Sequence, residues 1–165
     1  MKNYRNFIKR IKTRKIKIGV IGMGYVGLPL SILISKKRFM VHGFDQDKEK
    51  IKLLKLKNSY IKHISKQDLS KVIENNNLLP TSNFELLSKM DVIIVCVPTP
   101  LSKSKKPDLR YVNNAMKKII KCIDKISPLI ILESTTYPGT CNELLNNLFK
   151  KNKLIDGKDF FMSYS

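Results

Sequence analysis

The sequence predicts an α/β protein, a single domain built on a doubly wound parallel sheet, and three observations carry that expectation. Short, nearly continuous apolar runs recur along the chain, as parallel strands covered on both faces require. Stretches of helical periodicity lie between them, so the order reads strand, helix, strand, helix. The first apolar run leads straight into a glycine-rich turn, "GMGYVG", and a helical segment follows it. With 165 residues, 42% of them hydrophobic, the chain has material for one core.

The elements follow in order. Residues 1–14 form a basic leader, mildly amphipathic through Phe7, Ile8 and Ile11, expected as a short solvated helix before a domain spanning 15–165. The first strand is expected from Ile16 to Ile21 and its helix from Val26 to Ser35. The second strand runs from Met40 to Phe44, with a helix from Lys48 to Leu56. Residues 58–79 are less regular, with a helix beginning near Ser65 and a polar turn at Asn75, Asn76 and Asn77. A further strand spans Val92 to Val97. The helix from Tyr111 to Ile126 repeats Val112, Met116, Ile119, Ile120 and Ile123 at the spacing that lays one face on a sheet. Leu129 to Leu132 is the last apolar strand of this reading, and there is no internal repeat.

The glycine turn carries the first functional expectation. Gly22, Gly24 and Gly27 fit GxGxxG, with a strand before and a helix after, the context that gives the pattern its meaning. Gly22 makes the tight turn, Gly24 admits a pyrophosphate to the backbone, and Gly27 lets helix and strand pack closely. The helix N-terminus then presents free N–H groups and its positive dipole end to the phosphates. A Rossmann-type sheet of this kind needs an acid at the end of the second strand for the ribose diol. Asp45 stands there, 18 residues past Gly27. Its charge repels a 2′-phosphate and favours NAD over NADP, although Lys48 and Lys50 follow closely. Pro98, Thr99 and Pro100 end one buried strand, and Glu133, Ser134, Thr135 and Thr136 another. Both sets stand at the sheet edge where such folds bind ligands, and both also suit ordinary strand-end turns.

Charge and cysteines bound the remaining possibilities. Against 13 acidic residues stand 32 basic ones, a net +19 that raises nucleic acid as a partner. Yet only five of the 32 are Arg, and Ala115 is the single alanine, whereas Lys, Asn and Ile abound. That pattern follows AT-rich codons, and selected phosphate-binding faces favour Arg. No nucleic-acid partner is therefore expected. Cys96, Cys122 and Cys141 form no metal or CxxC spacing, and their odd number argues against a disulfide framework, so a reducing cytoplasm is expected. No apolar run approaches the roughly 18 residues of a membrane span, and the leader lacks the apolar segment of a signal peptide.

Taken together, "GVIGMGYVGLPL", "GFDQDKEKI", "VPTPL", "KPDL", "ESTTYPGT" and "FFMSYS" resemble the nucleotide-sugar 6-dehydrogenases, the UDP-glucose and UDP-N-acetylglucosamine dehydrogenase family, in the family's order and over almost the whole chain. "NSYIKHIS" and the basic leader are more similar to the UDP-N-acetylglucosamine branch. The resemblance implies oxidation of the sugar's C6 alcohol to a carboxylate for surface polysaccharide precursors. It implies two NAD+ consumed, a cysteine-bound thiohemiacetal and thioester, and a homo-oligomeric complete enzyme. It places Gly22, Gly24, Tyr25, Val26 and Gly27 near the pyrophosphate, Asp45 at the ribose and Lys50 at the adenosine end. It also puts Thr99 against the cofactor and Thr135 near both the cofactor and the reacting C6, where it helps position water.

The chain departs from the family pattern at "FMSYS", where the family continues "YSPER". The Glu of that motif, a helper Lys and the nucleophilic Cys lie beyond it in the family. Cys96, in a buried strand, Cys122, on a helix, and Cys141, a small helix-start residue, are not expected to replace that nucleophile. The expectation is an inactive fragment, a broken gene product or one half of a split enzyme. A stand-alone nucleotide-binding module is the alternative, and a basic nucleic-acid binder the more remote one.

Overall fold

The computed structural model describes residues 2–101, 107–123, 127–135 and 146–165. Along the chain run α1 (Lys2–Lys12), β1 (Lys17–Ile21), α2 (Gly27–Lys36), β2 (Met40–Phe44), α3 (Lys48–Lys55), α4 (Lys66–Glu74) and β3 (Leu78–Thr81). A 3-10 helix (Phe84–Lys89) leads to β4 (Val92–Val95), α5 (Arg110–Ile120), β5 (Leu129–Leu132), α6 (Asn146–Lys151) and β6 (Phe161–Tyr164). The six strands form one sheet in the order β3-β2-β1-β4-β5-β6, every pair parallel. The order reverses between β1 and β4, so connections leave those neighbours in opposite directions and open a crevice beyond their carboxyl ends. The Rossmann-type sheet expected from the sequence is present.

The apolar runs are continuous because the strands are buried on both faces. Ile18, Val20, Val41, Val92 and Ile94 pack with Leu28, Ile32, Leu54 and Leu69 in one core cluster. Ile21, Ile93, Val95, Ile130 and Leu132 pack with Val112, Met116 and Ile119 in the other. Full burial of each such side chain contributes about 1.5–3 kcal/mol. Side-chain caps set the starts of α3 and α4: Asp47 accepts from the N–H groups of Glu49 and Lys50, and Ser65 from that of Asp68.

Helix α1 is docked rather than merely solvated. Phe7 and Ile11 pack against the first cluster, and the Arg10 guanidinium donates to both oxygens of Asp91 at 2.6 and 2.7 Å. Asp91 also accepts from the Lys17 N–H at 2.8 Å, tying the leader to the start of β1. Amphipathicity announced a buried face, but the partner lies 81 residues away.

The structure adds two strands to those read from the sequence. β3, "LLPT", is short and contains Pro80, which offers no N–H; it is tolerated because β3 is an edge strand. β6, "FMSY", is the opposite edge and largely exposed, so it lacks an apolar pattern. β1 begins one residue later than expected. β4 ends at Val95, although the Cys96 N–H still donates to Ile21 O at 2.8 Å before Pro98 removes the next donors from register. Helix α5 stops at Ile120, so Cys122 sits in the following turn rather than on the helix, with its thiol 3.7 Å from Phe84 O. Residues 124–126, Thr136 and Cys141 lie outside the described residues.

His42, midway along β2, carries a pH prediction. Burial first, then the positive charges of Lys17 and Lys89, hold its pKa below the ordinary 6.5, and its buried Nδ1 has no hydrogen-bond partner. The unfolded chain therefore binds the proton more readily. Stability should be full above pH 6.5 and fall as the pH drops through 6.5 toward the lowered native value. Urea midpoints measured between pH 7.5 and pH 5, as roughly chosen limits around that window, should fall in the parent and fall less in His42→Phe.

Candidate functional site

The glycine turn occupies the switch point between β1 and β4. Gly22 has φ +97°, and a Cβ there would lie 2.5 Å from Cys96 O, so backbone geometry and space both demand glycine. A Cβ on Gly27 would come within 1.8 Å of Gly22 O, which is how closely α2 approaches the turn. Gly24 differs: a Cβ there would meet nothing within 4 Å, and the residue borders open space. Helix α2 starts without a side-chain cap. Among the described residues, the N–H groups of Gly24, Tyr25, Val26 and Gly27 form no hydrogen bond. Unpaired donors at the positive end of a helix form a site for an anion.

Gly24, Tyr25 and Val26 line a cleft of about 600 Å³ that Asp45 also lines. The Asp45 carboxylate accepts from the Met23 N–H at 2.9 Å and the Asp47 N–H at 3.0 Å, which hold it still. A carboxylate has about four lone-pair positions, so two remain for a pair of hydroxyls. Phe44 and Phe84 line an apolar side, with ring centroids 5.6 Å apart, and the Lys118 ammonium lies 3.6 Å from the Phe84 centroid. Burial lowers the Lys118 pKa, while the negative charge of Asp45 opposes that shift.

The opposite rim comes from the loop after α3. The Tyr60 hydroxyl donates to Met23 O, and the Lys50 ammonium lies 5.7 Å from the Tyr60 ring centroid. Burial, then the charges of Asp45 and Asp47, push the phenol pKa up, so Tyr60 remains a donor. Cys96 lies in the cleft floor, where burial and then Glu133 push its thiol up to about 12. It is a thiol at neutral pH, not an activated nucleophile.

Gly22, Gly24, Tyr25, Val26, Asp45 and Lys50 thus line one cleft, as a shared site requires, and Gly27 supports it from behind. Tyr25 is 75% exposed and stacks on His63 with centroids 6.1 Å apart. Thr99, half-buried after β4, and Thr135, exposed after β5, are not among the lining residues. Between them, buried Ser134 donates to Val97 O at 2.8 Å and Val95 O at 3.3 Å, locking the two strand ends together.

The sequence reading missed Tyr60, Phe84, Tyr111, Asn114 and Lys118. Tyr111, Asn114 and Lys118 share a helical face with Ala115, a spacing readable in the sequence but overshadowed there by the apolar stripe of α5. Tyr60 and Phe84 had no comparable signal. Among the described residues, no group of three or more His, Cys, Asp or Glu residues is placed to hold a metal, and no helix is long and apolar enough to cross a membrane.

The donor set fits a dinucleotide: free N–H groups for phosphates, an uncrowded glycine beside them, and a fixed carboxylate for a diol. Comparison with known proteins agrees. The family model "UDP-glucose/GDP-mannose dehydrogenase family, NAD binding domain" matches residues 16–164. Protein CapL of Staphylococcus aureus is 40% identical over 149 residues, which cover 90% of this chain and 34% of CapL. The UDP-N-acetyl-D-glucosamine 6-dehydrogenase of Pseudomonas aeruginosa is 38% identical over 153 residues, covering 92% of this chain and 35% of the enzyme. The crystal structure of a GDP-mannose dehydrogenase from Pseudomonas aeruginosa superposes with a TM-score of 0.85 at 27% identity, over 89% of this chain and 35% of that one. The chain therefore spans about a third of the length of the curated relatives it matches. On its fold, its cleft and these matches, the chain belongs to the UDP-glucose/GDP-mannose dehydrogenase family and corresponds to the family's NAD-binding domain.

Proposed function

We propose that residues 15–165 hold NAD for the oxidation of a nucleotide sugar, UDP-N-acetylglucosamine or UDP-glucose, at its C6 alcohol. One observation carries this reading: the uncapped start of α2, with Gly24 open to space, shares a cleft with the Asp45 carboxylate. Bound NAD would supply the hydride acceptor. The N–H groups of Gly24 to Gly27 would neutralise the pyrophosphate, with Tyr25 and Val26 at its rim and Gly22 setting the turn. Asp45 would accept from the ribose hydroxyls, and Lys50 would border the adenosine end. Thr99 and Thr135, beyond the ends of β4 and β5, would face the nicotinamide and the sugar, with Thr135 orienting water near C6.

Residues 1–14 act as a leader in this reading, the complete enzyme is a cytoplasmic homo-oligomer, and the basic surface serves no nucleic acid. Hydride transfer needs C6 held about 3–3.5 Å from its acceptor, and that positioning supplies much of the rate. The sugar-binding and nucleophilic groups are proposed to come from the rest of the length that the relatives possess. Cys96 is a buried thiol and Cys122 faces Phe84 O, so neither suits the nucleophile's role. The 165-residue chain should therefore bind NADH yet form none from either UDP-sugar. NADH should form when the chain is mixed with a polypeptide that begins "PER" and carries the remainder. Turnover by the chain alone would contradict this division of labour, and binding without turnover in the mixture would favour a stand-alone nucleotide-binding module.

A further inference from the structure

Met23, the residue between the first two glycines, is gripped from three directions. Its N–H donates to Asp45 at 2.9 Å, and its carbonyl accepts from Tyr60. Its side chain is fully buried, with its sulfur where a Cβ on Gly43 would approach to 2.6 Å. The next residue, Gly24, has no side chain, and nothing lies within 4 Å of where its Cβ would stand; its carbonyl accepts from the Leu28 N–H at 3.1 Å, but its own N–H has no partner among the described residues. A peptide followed by an unhindered glycine can rotate at little cost, because glycine populates conformations closed to other residues. Rotation of the Met23–Gly24 peptide would swing the Gly24 N–H, which in a planar trans peptide points opposite to the Met23 carbonyl.

The segment that delivers Tyr60 is itself anchored. Ile61 is buried, and its N–H donates to the Ser59 hydroxyl at 3.0 Å, while that hydroxyl donates to Ile61 O at 3.0 Å. The Lys50 ammonium rests over the Tyr60 ring, and His63 stacks on Tyr25 one residue beyond Gly24. Residues 58–64 therefore touch the glycine turn at two places from a different part of the chain.

We propose that Tyr60 is a positioning residue for the phosphate-binding turn: its hydroxyl fixes the Met23–Gly24 peptide and so preorganises the Gly24 N–H for the cofactor's pyrophosphate. This rests on the reading of the cleft as an NAD site. Asp45 and Tyr60 act as a pair, one holding the amide before Met23 and the other the amide after it. Preorganisation raises affinity by removing an ordering cost at binding. The effect belongs to the phosphates and not to the adenosine.

Tyr60→Phe keeps the ring and its contact with Lys50 while deleting the hydroxyl. Binding of ADP-ribose and of adenosine should be measured in the 165-residue chain and in this variant. ADP-ribose affinity should fall about fivefold to tenfold, the worth of one net hydrogen bond, and adenosine affinity should change less than about twofold. The Gly24 amide resonance of the free variant should broaden or divide as two peptide orientations exchange, while amides in β3 stay in place. Unchanged ADP-ribose affinity, equal losses for both ligands, or a single unmoved Gly24 resonance would overturn the proposal. Failure of the unsubstituted chain to bind ADP-ribose would take down the cleft reading as well, a result distinguishable from failure in the variant alone.

Discussion

Gly24→Ala should leave the chain at least as stable as the parent while weakening NADH binding about a hundredfold, close to 2.7 kcal/mol. A Cβ at this position meets no heavy atom within 4 Å, and the backbone does not occupy the positive-φ region. Replacing glycine where its conformation suits alanine commonly stabilises by about 0.4–1 kcal/mol through the unfolded chain. The space the methyl enters is the space assigned to the pyrophosphate, so the cost falls on the ligand.

Gly27→Ala should behave in the opposite way. Its Cβ would lie 1.8 Å from Gly22 O, a backbone atom that can yield only by moving the turn or the helix. Overpacking costs about 1–3 kcal/mol when side chains can adjust, and more is expected here. Urea midpoints with NADH titrations on both variants separate the roles. A Gly24→Ala protein that unfolds early, or one that binds NADH normally, would contradict the assignment.

Asp45→Ala should collapse the preference for NADH over NADPH, from about a hundredfold to less than about tenfold. In the proposed site the carboxylate would accept from the diol and repel a 2′-phosphate. Removing it leaves Lys50 and Lys118 bordering the same cleft, and their charge then attracts the phosphate. The substitution also strands the part-buried Met23 N–H, a stability cost of about 1–3 kcal/mol, whereas the exposed Asp47 N–H can turn to water. The ratio of the two affinities, measured on one folded variant, cancels that cost. Equal affinities in the unsubstituted chain would remove Asp45 from the ribose.

The glycines and Asp45 were legible in the sequence because their requirements are local. A turn needing positive φ, a helix packed on a backbone oxygen and an acid one strand later leave their marks at fixed spacings. Tyr60, Phe84 and Lys118 enter the cleft from a loop, a 3-10 helix and the side of α5, and only the strand order brings them there. Edge strands β3 and β6 leave little mark in the sequence for a related reason, since a strand with one neighbour need not be apolar and can carry Pro80. The leader shows the same limit: Phe7 and Ile11 indicated a buried face, but nothing near Arg10 in sequence pointed to Asp91.

The proposed site lays NAD across the switch point, with its pyrophosphate at the start of α2 and its ribose on Asp45. Titration of the ¹⁵N-labelled chain with NADH, followed amide by amide, tests it most directly. Saturable shifts should concentrate at Gly22 to Gly27, Asp45 to Asp47 and the cleft face of α5, with β3 and β6 unaffected. Absence of saturable binding, or shifts that spare Gly24 and Asp45, would contradict it.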